Sequence, residues 1–222
     1  MQSELKIHKW LNYFHVYEAH MQRFRQRPVK FLEIGVFHGG SARLFREYLG
    51  SEACIVGLDV NSECKAYADG ESLQIEIGDQ TDIKFLDFVS QKHGPFDIVL
   101  DDGGHKTSQI LTSFEALFPS VKEGGVYLIE DTCCQYWRGS EYVDRGENEW
   151  DEFIINLNRT LNKDMAKRPL FDYWHIPPEK RSEQHHTQGP DRLLHSIHLY
   201  ESVAAIEKRQ RPIPYSEMRN IF

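Results

Sequence analysis

The sequence predicts an α/β domain built on a mostly parallel sheet of seven strands, closed by an antiparallel pair at its C-terminal end. Two observations predict it. From Val29 onward, strand-like apolar runs alternate with helix-length segments, and each of the first five runs ends in glycine or an acid. Strands spaced this way form βαβ units with right-handed crossovers and a parallel sheet. The 222 residues suit one such domain, read here as 1–222. A chain of this length buries roughly 70% of its unfolded surface and needs no disulfide or structural metal.

The first element, within 1–28, is helical. Trp10, Phe14, Tyr17, Met21 and Phe24 recur at spacings of four, three, four and three, a stripe that packs a helix on the core. Pro28 and the basic segment Arg23–Lys30 end it. VKFLEIG reads as a buried strand and SARLFREYLG as a short amphipathic helix closed by Gly50. ACIVGLDV and SLQIEIGD are the second and third strands, followed by a helical stretch near Thr81–His93. FDIVLDD is the fourth strand, SQILTSFEALFPS a helix and GGVYLIED the fifth strand. After Asp131 the rhythm breaks. Residues 132–190 are polar and aromatic, and only Asp151–Lys163 reads as helix. An insertion this long behind a strand end is a candidate lid or acceptor-binding region. RLLHSIHLY and SVAAIEK, split by a short polar break, read as the closing hairpin.

Composition excludes several classes. Lys and Arg number 26 against 34 Asp and Glu, a net charge of −8, which argues against a nucleic-acid or anionic-membrane surface. No stretch approaches the ~20 apolar residues of a membrane span, and MQSELKIHKW is not a signal sequence. Cys54, Cys64, Cys133 and Cys134 show neither disulfide-framework density nor CxxC spacing. They read as ordinary thiols of a cytoplasmic protein, although Cys133-Cys134 also allows a vicinal disulfide. Exposed apolar surface on the N-terminal helix would be covered in a homodimer.

Ligands of a doubly wound sheet bind beyond the carboxyl ends of its strands. The first strand ends Glu33-Ile-Gly35-Val-Phe-His-Gly39-Gly40-Ser41, where glycines permit a sharp turn and Ser41 can cap the next helix. Asp59 ends strand two, 24 residues after Gly35, where its carboxylate can accept two ribose hydroxyls. Asp79, after strand three, is placed for an adenine edge. Each acid also has a plainer use in a turn or at a helix start. The loop is not the G-x-G-x-x-G of nicotinamide enzymes. It resembles the E-x-G-x-x-x-G form of motif I in S-adenosylmethionine methyltransferases, and Glu33, Gly35, Gly39, Ser41, Asp59 and Asp79 are the candidate cofactor residues, with Asp101 a further contact.

Strand four ends Asp101-Asp102-Gly103-Gly104-His105 and strand five ends Glu130-Asp131. If these strands are neighbours, their carboxylates meet in one crevice, a costly arrangement without a cation. Oxygen ligands point to a hard divalent ion, Mg²⁺ before Ca²⁺ or Mn²⁺, although Asp131 can also cap a following helix. The chemistry gives the metal a reason. Direct transfer of a proton from an alcohol (pKa near ~15.7) to histidine (~6.5) is uphill by roughly 12 kcal/mol, and a divalent cation chelating vicinal hydroxyls reduces that gap. His175, His185, His186, His195 and His198 show no zinc-ligand spacing.

Taken together, HKWLNYFHVYE, FLEIGVFHGGS, IVGLDVN, FDIVLDDGGH, FEALFPSVKEGGVYLIEDT and SIHLYESVAAIEK resemble the metal-dependent sugar O-methyltransferases of macrolide biosynthesis and of bacterial surface glycans. The resemblance implies a Rossmann-like class I methyltransferase fold and a sugar-containing small molecule or glycan as acceptor. It also implies Asp102, Glu130 and Asp131 as metal ligands and His105 as general base. It covers about residues 8–131 and 193–208, and the 132–190 segment matches no pattern of that family. Three other readings stand beside it: a catechol or small-diol methyltransferase, a nicotinamide oxidoreductase and a non-catalytic glycan-binding module.

Overall fold

The computed structural model describes residues 6–163, 165–166, 176–180 and 190–212. Five parallel strands alternate with helices. They are β1 (Lys30–Ile34), β2 (Cys54–Asp59), β3 (Leu73–Ile77), β4 (Phe96–Asp101) and β5 (Val121–Ile129). The sheet runs β3-β2-β1-β4-β5-β7-β6, where β6 (Leu194–Tyr200) and β7 (Val203–Lys208) form a hairpin and β7 joins β5 antiparallel. This is the seven-stranded sheet the pattern predicts. Strand β5 begins at Val121 rather than Gly124, with a register shift in its pairing to β4 between Phe96 and Ile98.

Side chains on successive strand residues point to opposite faces, and both faces are buried. Phe31, Ile55, Ile98 and Leu128 pack against α1 (Phe14–Met21) and α2 (Gly40–Leu49). Leu32, Val56, Val99 and Tyr127 pack against α3 (Ile83–His93), α4 (Thr107–Leu117) and α5 (Glu149–Asn162). Fully burying one such side chain contributes about 1.5–3 kcal/mol. Asp82 caps α3 by accepting from the Lys84 and Phe85 amides. Gly50, at φ +112°, closes α2 as expected. Among the described residues no helix is long and apolar enough to cross a membrane.

The N-terminal helix packs on the sheet, but on a rotated face. Of the expected stripe, Tyr17, Met21 and Phe24 are buried while Trp10 and Phe14 are exposed. Tyr13, Val16 and His20 fill the inward positions instead. A 3₁₀ turn over Leu11–Tyr13 shifts the phase ahead of α1. Tyr13 and His20 go inward because their polar tips find partners there: Asp131 for Tyr13, and Glu207 and Tyr200 for His20. His195 and His198 lie exposed on β6, whereas His175, His185 and His186 fall outside the described residues. The four cysteines are free thiols, and burial pushes the Cys134 thiol up, keeping it protonated.

Candidate functional site

The chain passes from β1 outward to β3 and then returns to β4, so β1 and β4 flank a topological switch point. Their ends are in register at Ile34 and Asp101, and the ladder continues past them. The Asp102 amide donates to the Ile34 carbonyl at 3.0 Å, and the Glu130 amide to the Asp101 carbonyl at 2.9 Å. Gly35, at φ +92°, lies so close to β4 that a Cβ would overlap the Asp102 carbonyl. A cleft of about 560 Å³ opens at these strand ends. Gly35, Ser41, Asp59 and Asp79 line it from the β1–β3 side, Asp102, His105, Glu130 and Asp131 from the β4–β5 side, and residues 6–10 cover part of it.

On the β1–β3 side, Asp59 holds the loop after β1. Its Oδ2 accepts from the Val36 and Phe37 amides at 2.9 and 3.0 Å, and its Oδ1 from the Asn61 amide at 2.8 Å. Asp79 is exposed and accepts from the Thr81 amide and hydroxyl through Oδ1. Ser41 does not cap α2. Gly39 is the N-cap, at φ +73°, and the Ser41 hydroxyl donates inward to Glu33. Glu33 is fully buried behind the cleft, its Oε2 has no partner, and burial pushes its carboxyl up to about 7. Gly39 also stands back from the cleft, against the Tyr67 ring.

Asp101 is buried and does not line the cleft. It accepts from Gln80 Nε2 at 3.2 Å and the Tyr127 hydroxyl at 3.3 Å, and burial pushes it up to about 7. Gln80 ties this network to the next turn, because its Oε1 accepts from the Gly104 amide at 2.9 Å.

Of the acids beyond β4 and β5, Asp102 and Asp131 come together with His105, while Glu130 is buried against Lys9 and Tyr17 and is not part of that close group. Asp102, His105 and Asp131 each offer a donor atom within 4.8 Å of the others, the one such group among the described residues. His105 Nε2 stands 3.5 Å from Asp131 Oδ2 and 3.9 Å from Asp102 Oδ1. Asp131 occupies the N-cap position of a 3₁₀ turn, Thr132–Tyr136, but its side chain caps nothing. Instead its Oδ1 accepts from the Tyr13 hydroxyl at 2.5 Å.

Three partners come from the N-terminal segment, and only one of them belongs to the expected apolar stripe. Lys9 Nζ, on a side chain 3% exposed, donates to Asp102 at 2.5 Å and to both Glu130 oxygens at 3.1 and 2.9 Å. The Tyr17 hydroxyl donates to Glu130 Oε1 at 2.6 Å. Burial opposes the charge on Lys9, but Glu130, Asp102 and Glu33 together outweigh it and raise its pKa. Glu130 is raised, first by burial and then by Asp102. Lys9, Tyr13 and Tyr17 follow one another at intervals of four. Tyr13 and Tyr17 share the inward helical face, while Lys9 reaches the acids from the extended segment before the 3₁₀ turn.

Strand order, parallel core and acid-bearing strand ends define a class I methyltransferase domain. Residues 32–132 match the methyltransferase-domain family. The chain is 34% identical over 200 residues to mycinamicin VI 2''-O-methyltransferase of Micromonospora griseorubida, covering 86% of this chain and 47% of that protein. It is 32% identical over 222 residues to 8-demethyl-8-(2-methoxy-α-L-rhamnosyl)-tetracenomycin-C 3'-O-methyltransferase of Streptomyces olivaceus, covering 96% and 54%. The structure of MycE methyltransferase from the mycinamycin biosynthetic pathway, in complex with Mg and SAH, superposes with TM-score 0.72 at 30% identity, covering 91% of this chain and 51% of that one. The chain is similar to these O-methyltransferases over most of its own length, and it spans about half the length of the curated relatives it matches.

Proposed function

We propose that this chain transfers a methyl group from S-adenosylmethionine to a sugar hydroxyl, assisted by a divalent cation, Mg²⁺ first. One observation carries the reading: Asp102, His105 and Asp131 meet beside a cleft whose other wall is the glycine-turn loop after β1. Charge supports it. Asp102, Glu130 and Asp131 bring three carboxyl groups to one side of the cleft with a single lysine against Asp102 and Glu130, a crowding that a divalent ion would relieve. On the cofactor side, Gly35 lets the loop after β1 pack directly on the Asp102 carbonyl, and Asp59 and Asp79 line the cleft.

Asp102, Glu130 and Asp131 would hold the cation, and Gly35, Asp59 and Asp79 the cofactor. When bound, the cofactor supplies an electrophilic methyl group and the cation lowers the pKa of a hydroxyl it contacts. His105 Nε2, set between Asp102 and Asp131, accepts the hydroxyl proton as the oxygen attacks. An O–CH₃ bond forms, an S–CH₃ bond breaks, and the proton ends on His105. Lys9 and Tyr17 keep the buried Glu130 carboxylate oriented throughout.

Calorimetry with S-adenosylmethionine, with NADH as control, tests the cofactor. Micromolar binding of the first alone is expected, and binding of NADH alone would revive the oxidoreductase reading. A panel of glycosides and catechols, assayed with and without chelator, tests the acceptor and the metal. Asp102→Ala is expected to abolish turnover while cofactor binding persists, and His105→Ala to lower kcat about 10²–10⁴-fold. Full activity in excess chelator would remove the cation from the reaction.

A further inference from the structure

We infer that Gln135 is a positioning residue for His105, and that the chain immediately after Asp131 serves to fix the base. The inference rests on the reading of His105 as proton acceptor. His105 adopts φ +56°, a left-handed backbone uncommon for any residue with a Cβ, and its surroundings hold it there. Gln80 secures the amide of the preceding residue, Gly104. Gln135 secures His105 itself: its Nε2 donates to the His105 carbonyl at 2.7 Å. The other end of the same carboxamide accepts from the Thr107 hydroxyl at 2.7 Å.

Gln135 is 3% exposed, so both bonds are shielded from competing water. It lies four residues past Asp131, whose own backbone is left-handed at φ +53°. One amide group therefore braces the turn from β4 against the turn from β5. The separation it governs is the 3.5 Å between His105 Nε2 and Asp131 Oδ2. The same stretch of chain reinforces it further along. The Tyr142 carbonyl accepts from the Thr107 amide at 2.8 Å, and Asp144 accepts from the Ser108 amide at 2.9 Å. Residues 135–144 thus grip the first turn of the helix that follows His105.

The chemistry asks for an amide. A glutamate in its place keeps the size and the acceptor for Thr107 but turns an oxygen toward the His105 carbonyl, which repels it. The decisive comparison is Gln135→Glu against the unchanged chain, with Thr107→Val as a second variant that removes the hydroxyl's bonds to Gln135 and to the Tyr142 carbonyl but leaves the bond from Gln135 to His105. We expect Gln135→Glu to lower kcat about 10- to 100-fold, with the KM for S-adenosylmethionine within about twofold, because a misplaced group weakens the reaction rather than the binding. We expect Thr107→Val to lower kcat about 3- to 10-fold. The ¹³C and ¹⁵N resonances of the His105 ring, recorded without substrate, should move in both variants. Unchanged His105 resonances and unchanged kcat in Gln135→Glu would overturn the inference. Loss of cofactor binding together with the thermal transition in both variants would also overturn it, by making the role one of general folding. If no acceptor is methylated by the unchanged chain, the functional reading fails, and the ring resonances still decide whether Gln135 orients His105.

Discussion

Glu33 shows how one side chain behind the cleft imposes a pH dependence on the whole. Its carboxyl is held up to about 7 by burial, against an ordinary value of 4.5. Between these values the folded chain retains a proton that the unfolded chain has lost, so stability falls as pH rises through this window. The contribution is fully present below about 4.5 and gone above about 7. Glu33→Gln should flatten that part of the stability curve, read from urea midpoints at several pH values, and an unchanged slope would refute it. Single residues were unevenly legible in the sequence. Asp59, Asp102 and Asp131 could be named because a strand end is where a doubly wound sheet places its ligands. Glu33 and Asp101 were marked by the same rule, yet both turn away from the cleft, because side chains alternate between faces and a one-residue offset reverses direction. Gln80 and Gln135 carried no signal, since a glutamine that satisfies both ends of its amide inside a turn looks like any polar loop residue.

The inner strands were readable as elements because both sheet faces are buried there, whereas the edge strands β3 and β6 are partly exposed and mix polar with apolar residues. The N-terminal helix was readable as a helix but not in its rotation, because its inward face carries Tyr13 and His20 rather than Trp10 and Phe14. An apolarity count misses an element whose purpose is to bring donors to acids. Tyr13 and Tyr17 arrive on this element and Lys9 on the extended segment just ahead of it, and together they reach Asp102, Glu130 and Asp131. Lys9→Met should therefore destabilise the fold by about 3–5 kcal/mol, the cost of stranding buried carboxylates without their partner. Chemical denaturation without added metal measures this, and a loss under about 1 kcal/mol would show that the lysine is dispensable to the fold. The stretch after Asp131 stayed unreadable in the sequence for a different reason. Its order comes from hydrogen bonds to α4, such as Thr107 to Tyr142 and Ser108 to Asp144, which leave no periodic trace.

At the scale of the molecule, the two walls of the cleft meet where Gly35 lies against the Asp102 carbonyl. Any Cβ at position 35 overlaps a main-chain carbonyl that the ladder pins in place, and φ +92° adds strain of about 1–3 kcal/mol. Gly35→Ala is expected to lower the thermal midpoint and to weaken cofactor and divalent-cation binding together, as read by calorimetry. A variant that lost one and kept the other would show that the walls are independent.

The hydrogen-bond ladder that runs past Ile34 and Asp101 to Asp102 and Glu130 has a further consequence, one for diversification. Groups hung on consecutive rungs of the same sheet inherit their spacing from the backbone, and side-chain changes elsewhere leave that spacing alone. Apart from Lys9, which is tied to Asp102 and Glu130, the residues of the 6–10 segment line the cleft from outside the sheet and take no spacing from the ladder. A lineage can therefore rewrite this outer covering to suit a new acceptor while the reacting groups keep their places, so that novelty accumulates at the rim and the chemistry is inherited intact.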